Sequence, residues 1–278
     1  MSLTIQKLDP IGALITDPDI DYLLHHPDAG AELTQALDEN SVLLVRGLHL
    51  DDETQLALAR RMGEIVVKST PGWSKQTPGI YRIALDPEAN DELYVKGSWD
   101  WHIDGATANG IPPKATMLTC RGVPGAGGET QALSTYIAYD QLSAAEKDKL
   151  AGLKVWHKVR PEAYTETINL TPAQSDRLAT EAANLHPLVW THLNGRKSLV
   201  LGITADRIEG LPTAESDAIL DDLNTRAAAP ENVLTHTWQL DDLLIWDNTG
   251  TMHRGRPYTE SSGRDMHRCT IVGYEPIQ

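Results

Sequence analysis

The chain has 278 residues, contains no phenylalanine and only two cysteines, and carries no apolar run near the 18 or more residues that span a membrane. Cys120 and Cys269 are too few for a disulfide framework in a chain of this size, and both stand in apolar, strand-like runs, so buried free thiols are expected. Positive charge is also scarce. Lysine and arginine number 24 against 39 acidic residues, a formal net charge of −15, which repels phosphate backbones and anionic membrane surfaces. Nucleic-acid and membrane partners are therefore not expected. The opening "MSLTIQKLDPIGALITD" lacks the basic stretch and apolar run of a secretory leader, so a cytoplasmic location is expected. What is present is ordinary for a globular protein: 41% hydrophobic and 23% charged residues, in a length that favours one large domain, 1–278, over two.

The segment "SVLLVRGLHL", 41–50, reads as a buried strand. "DDETQLALARRMGEI" follows as a helix, acidic at its start and with Leu56, Leu58, Ala59 and Met62 at helical spacing. Residues 69–97 are rich in proline, glycine and charge, with one strand-like piece, "IYRIAL"; such a long irregular stretch belongs to function or to disorder. "PKATMLTCRGV" is β-rich, and the glycine turn "PGAGGET" lacks the lysine and strand-to-helix context of a phosphate loop. A helix with the capping box "SAAE" comes next, then a polar flap or insertion at about 157–184. The β signal returns in "HPLVWTH" and "KSLVLG", breaks for a helix in "TAESDAILDDLNTRAA", and resumes in "VLTHTWQL", "DLLIWDN" and "MHRCTIVGY". Short strands separated by turns, with helices outside them, predict a mainly β fold: a double-stranded β-helix, that is a jelly-roll or cupin-type barrel, flanked by helices.

Chemistry concentrates in "YVKGSWDWHIDG", residues 94–105. On a strand, residues two apart share a face, which would place His102 beside Asp104. A lone His-x-Asp is more often structural than ligating, but His253 follows the apolar "DLLIWDNTG" and offers a third donor. Two imidazoles and one carboxylate on one side of a metal leave the other side open, the arrangement that suits non-haem Fe(II). In "SSGRDMHRCTIVGY", a strand over 264–270 would put Arg264, Met266, Arg268 and Thr270 on one face and His267 and Cys269 on the other. Two guanidiniums would then enter one cavity, each able to grip a carboxylate through two parallel hydrogen bonds. His157, His186, His192, His236 and His267 read as structural, and Trp101 as core.

"WHID" with "GGET", then "IWDN" with His253, and finally "GRDMHR" resemble the taurine dioxygenase and 2,4-dichlorophenoxyacetate dioxygenase family of Fe(II)- and 2-oxoglutarate-dependent oxygenases. The resemblance covers nearly the whole chain, from "VLLVRGL" and "LALARRMGEI" through "HPLVWTH" to the last strand. It implies that His102, Asp104 and His253 ligate iron. It further implies that Arg264, eleven residues after His253, holds the far carboxylate of 2-oxoglutarate, with the Thr130 hydroxyl as a second donor to it. Arg268 would hold a carboxylate or sulfonate of the substrate or brace the cosubstrate, while Ser98 and Trp99 would touch substrate. The implied reaction is hydroxylation of a small organic acid by dioxygen, with release of succinate and carbon dioxide, in a homo-oligomer.

Related halogenases have a small residue where this chain has Asp104, which favours hydroxylation over halogenation. Residues 66–98 and 157–172 would line the substrate entrance, with Lys68, Lys75, Lys96, Arg160 and Tyr164 as polar contacts. The early-loop histidine of the taurine pattern is not evident in "VVKSTPGW", which argues against taurine itself. From the residues alone, a non-catalytic barrel binding a metal or organic acid, and a cupin-type metalloenzyme independent of 2-oxoglutarate, stay open as alternatives.

Overall fold

Four apolar segments decide the layering. Val42–Val45, Leu243–Asp247, Ala115–Gly122 and Asp265–Ile271 are buried over most of their length, the pattern of strands covered on both faces. In the computed structural model, which describes residues 3–278 apart from 69–72, 87–89, 91, 109 and 165–167, they lie side by side in that order. Thr4–Lys7 and Ala13–Thr16 extend the sheet beyond Val42–Val45, and Tyr81–Ile83 closes its other edge, giving seven strands. Neighbours run antiparallel except Ala13–Thr16 with Val42–Val45.

The two-residue period of a strand sorts the side chains of this sheet into two layers. Leu43, Val45, Met117, Leu243, Ile245, Cys269 and Ile271 pack with Leu33, Leu37, Leu56 and Leu58 of the helices Ala29–Asn40 and Asp52–Met62. Val42, Leu44, Leu118, Cys120, Leu244, Trp246 and Met266 point the other way and meet Ala132 and Trp238. Ala132 lies on Thr130–Ser134, the middle strand of a second sheet between Leu234–His236 and Thr251–Gly255. The two sheets therefore face each other as in a jelly roll. Among the described residues their strands do not close into one continuous hydrogen-bonded ring.

A third core joins the sheet of Ala205–Ile208, Lys154–His157 and Asn184–Pro187 to the helix Thr213–Ala227. Both cysteines are free and buried, as their surroundings in sequence predict. Helix ends follow local chemistry. Asp51 caps Asp52–Met62 by accepting from the Thr54 amide at 2.8 Å, and Ser143 with Glu146 forms the capping box of Ala144–Leu150. The predicted flap contains the short helix Pro161–Tyr164 and the helix Pro172–Ala179; residues 165–167 and the Tyr164 side chain lie outside the described residues. No described helix is long and apolar enough to cross a membrane.

One expectation is overturned. Residues 94–105 do not form a strand: the helix Glu92–Gly97 occupies the first part, and the amides of Ser98 and Trp99 turn back onto the carbonyls of Val95 and Lys96. His102 contributes only an isolated bridge to His253. Just beyond Asp104, Gly105 has φ +88° and lies so close to Pro112 and Pro113 that a Cβ would fall 2.7 Å from the Pro113 ring, so the chain turns before a strand can form.

Candidate active site

The isolated bridge brings two distant parts of the chain together. The His102 amide donates to the His253 carbonyl at 3.1 Å, and the His253 amide returns a bond to the His102 carbonyl at 3.0 Å. Residues paired in this way project their side chains to the same side. The two imidazoles accordingly stand 4.3 Å apart between centroids. His253 is carried by the strand Thr251–Gly255, in register with Ala132. The turn after His102 then swings Asp104 against both rings, with Oδ1 3.8 Å from His102 Nε2 and Oδ2 3.9 Å from His253 Nε2. One donor atom from each residue lies within 4.8 Å of the others, and among the described residues no other trio of histidine, cysteine or acidic residues does so.

The surroundings prepare each donor. His102 Nδ1 lies 2.8 Å from the Asp100 carbonyl, which holds the ring proton there and leaves the Nε2 lone pair facing Asp104. His253 is buried against the Trp246 ring, 4.5 Å away; burial, reinforced by His102, pushes its pKa down to about 3 and keeps it neutral. Burial acts on Asp104 in the opposite sense, raising its pKa, but His253, Arg268, His102 and the Thr116 hydroxyl outweigh it and bring the carboxyl down to about 2. Two imidazoles and one carboxylate are the donor set that fits a divalent iron with open positions.

Both predicted arginines reach the same pocket, whose walls include Ser98, Trp99, Thr130, Ile83, Leu118, Trp246, Tyr258 and the two histidines. Arg264 is buried. Its Nε donates to the Gly128 carbonyl at 2.9 Å, and its guanidinium lies 4.8 Å over the Tyr258 ring. Burial lowers its pKa, and among the described residues no carboxylate forms an ion pair with it. The "GGET" turn makes room for it: Gly128 has φ +74°, and a Cβ there would stand 2.7 Å from Arg264 Cδ. Thr130 Oγ1 accepts from Trp238 Nε1 at 3.1 Å, so its own proton is free to be donated.

Arg268 donates through Nη2 to Tyr94 Oη at 2.7 Å and stacks over the rings of Tyr81 and Tyr94. Its Nη1 is 4.0 Å from Asp104 Oδ2. Burial opposes its charge, but Tyr94 and Asp104 hold it protonated.

The remaining histidines lie elsewhere with partners of their own. His267 Nδ1 is 2.6 Å from Asp52, His192 sits between Glu275 and Ser198, His236 contacts Asp242 and His157 contacts Thr204. Trp101 is half-buried beside the third core, with Arg254 stacked over it. Lys68 and Lys75 are exposed, and Arg160 lies 3.7 Å from Asp206. Sequence reasoning missed Tyr94, Tyr258, Thr116 and Asn248. Asn248 stands in "IWDN" and Tyr94 opens "YVKGSWDWHIDG", but neither was given a role there.

The model of the taurine catabolism dioxygenase TauD, TfdA family matches residues 4–270. The chain belongs to the TauD/TfdA family. Members are Fe(II)- and 2-oxoglutarate-dependent dioxygenases, and this chain is one. It is 32% identical over 286 residues to the alpha-ketoglutarate-dependent 2,4-dichlorophenoxyacetate dioxygenase of Cupriavidus pinatubonensis, covering 98% of each chain. To the (S)-phenoxypropionate/alpha-ketoglutarate-dioxygenase of Sphingobium herbicidovorans it is 30% identical over 271 residues, covering 94% of this chain and 92% of that one. The solved structure of AAD-2 in complex with Mn(II) and N-oxalylglycine superposes over the full length of both chains, with a TM-score of 0.81 and 29% identity. The jelly-roll architecture is thus shared with that structure.

Proposed function

We propose that this TauD/TfdA oxygenase hydroxylates a small organic acid, with His102, Asp104 and His253 as iron ligands and Arg264 with Thr130 as the 2-oxoglutarate site. The carrying observation is that the two histidines of the three-donor group and a buried guanidinium with no carboxylate ion pair among the described residues line one pocket. Iron, 2-oxoglutarate and dioxygen together supply oxidation of a C–H bond, with succinate and carbon dioxide as coproducts. The protein's part is to bind and orient. Arg264, fixed by Gly128 and Tyr258, presents terminal N–H groups that need no reorganisation to receive a carboxylate, and Thr130 adds an O–H.

Arg268 receives the acid group of the substrate. Ile83, Val95, Trp99 and Leu118 form an apolar wall beside it, suited to the hydrocarbon part of a carboxylate or sulfonate and to the exclusion of water. Ser98 and Trp99 contribute to that wall from the end of the helix Glu92–Gly97.

The test is spectroscopic and kinetic. Under anaerobic conditions the protein with Fe(II) and 2-oxoglutarate develops a weak visible charge-transfer band, absent in His102→Ala; a wild-type protein without the band overturns the assignment. Candidate acids are then screened for substrate-stimulated succinate release. Arg268→Ala raises the apparent KM for the stimulating acid by about tenfold or more, the loss of roughly 1.4 kcal/mol or more of binding, and leaves that for 2-oxoglutarate unchanged. An unchanged substrate KM assigns Arg268 to the cosubstrate or the fold.

A further inference from the structure

Asp104 is held by a chain of hydrogen bonds that leads away from the pocket. Its Oδ2 accepts from Thr116 Oγ1 at 3.0 Å, and Thr116 Oγ1 accepts in turn from Asn248 Nδ2 at 3.0 Å. Thr116 and Asn248 are both fully buried. Thr116 lies on Ala115–Gly122 opposite Trp246, on the face that looks towards the site. Asn248 directly follows Leu243–Asp247, and its amide donates to the Lys114 carbonyl at 2.9 Å.

The order of donors in this chain is forced by proton counting. A carboxylate must be deprotonated to ligate a metal, so Asp104 can only accept. A hydroxyl has one proton, and Thr116 must therefore direct it to Asp104. Asn248 is then required to present its amide nitrogen to Thr116, since its oxygen would have nothing to accept. The chain runs one way, and each acceptance makes the next donation stronger.

Behind it, Asp247 Oδ1 accepts from Lys114 Nζ at 2.9 Å and from the Thr249 hydroxyl at 2.7 Å, which fixes the turn that carries Asn248.

We propose that Asn248 and Thr116 are positioning residues: a one-way relay that engages Asp104 Oδ2 and so fixes the carboxylate beside His102 and His253, setting metal affinity without touching the ion. The inference rests on the reading of His102, Asp104 and His253 as metal ligands. The same Oδ2 lies 4.0 Å from Arg268 Nη1 and 3.9 Å from His253 Nε2, so the Thr116 hydroxyl is the one group within hydrogen-bond distance of it among these three.

The experiment is titration of metal-free protein with Mn(II), free ion being read by electron paramagnetic resonance, alongside thermal unfolding of each metal-free variant. Thr116→Val is expected to weaken Mn(II) binding by about 10- to 100-fold, the usual effect of removing a partner of a metal ligand, and Thr116→Ser to restore it. Asn248→Asp draws the Thr116 proton to the new carboxylate and reverses the relay, so it weakens binding as Thr116→Val does. Asn248→Ala leaves the hydroxyl able to serve Asp104 and weakens it less.

A folded Thr116→Val protein that binds Mn(II) as wild type does overturns the relay. Should that variant not fold, equal Mn(II) affinities for Asn248→Asp and Asn248→Ala overturn it instead. Wild-type protein that binds no Mn(II), or whose binding survives His102→Ala, refutes the metal site itself. Binding lost in His102→Ala but kept in Thr116→Val refutes only the relay.

Discussion

A buried charge reveals its purpose by what accompanies it. Lys114 and Arg264 are both more than nine-tenths buried, yet only Lys114 has carboxylates beside it, Asp38 at 2.7 Å and Asp247 at 2.9 Å. Burial works against the Lys114 charge, but the two carboxylates more than offset it and raise its pKa. Lys114→Met therefore leaves Asp247 buried and unpaired, and is expected to cost about 3–5 kcal/mol of stability, read from urea unfolding. Among the described residues Arg264 has no such ion pair, as expected if its partner is the proposed 2-oxoglutarate carboxylate. The convergence of His102, Asp104 and His253, with Arg264 in the same pocket as the histidines, was legible in the sequence because residue type and the surrounding motifs point to it. Thr116, Asn248 and Tyr94 were not, because each acts through an atom supplied by another part of the chain.

At the level of elements, the reading succeeded where side chains alternate and failed where they do not. The strand Asp265–Ile271 carries Met266 and Arg268 towards the site and His267 and Cys269 towards Asp52 and Gln55, as its period predicts. Residues 94–105 deceived because His-x-Asp fits a strand and a turn equally well; the glycine and prolines that decide between them make their contact only after folding. The "GGET" turn is the element that ties the second sheet to Arg264, the proposed 2-oxoglutarate anchor. Gly128→Ala sets a methyl group into the Arg264 side chain at a positive φ. It is expected to raise the KM for 2-oxoglutarate by about tenfold, equivalent to roughly 1.4 kcal/mol, with little change in the KM of the primary substrate, measured by succinate release.

For the molecule as a whole, the histidines buried among its cores set its response to acid. His157, buried between Lys154–His157 and the Ala205–Ile208 strand, has its pKa lowered by burial and by His186 to about 3, against 6.5 for the free group. Between those two values the unfolded chain binds a proton that the folded chain does not. The stability this site contributes is present above pH 6.5 and is lost as the pH falls towards 3. Burial lowers the pKa of His192 too, against the opposing pull of Glu275, so it acts in the same direction. The unfolding temperature is expected to drop across this window, and His157→Gln to flatten the drop in calorimetry at stepped pH. The layering of strands and helices was legible from hydrophobic period alone. Which strands neighbour which was not, since Leu243–Asp247 sits between two segments from the first half of the chain.

The reciprocal backbone bonds between His102 and His253 also furnish a clock. Each amide is sealed by the other residue's carbonyl, so neither hydrogen can exchange for deuterium unless the same bridge opens. The two amides should therefore show one shared opening free energy once each is corrected for its own intrinsic exchange rate, measurable in protein stripped of metal by mass spectrometry of the fragments around each. That free energy reports how readily the early and late parts of the chain part company at the proposed metal site.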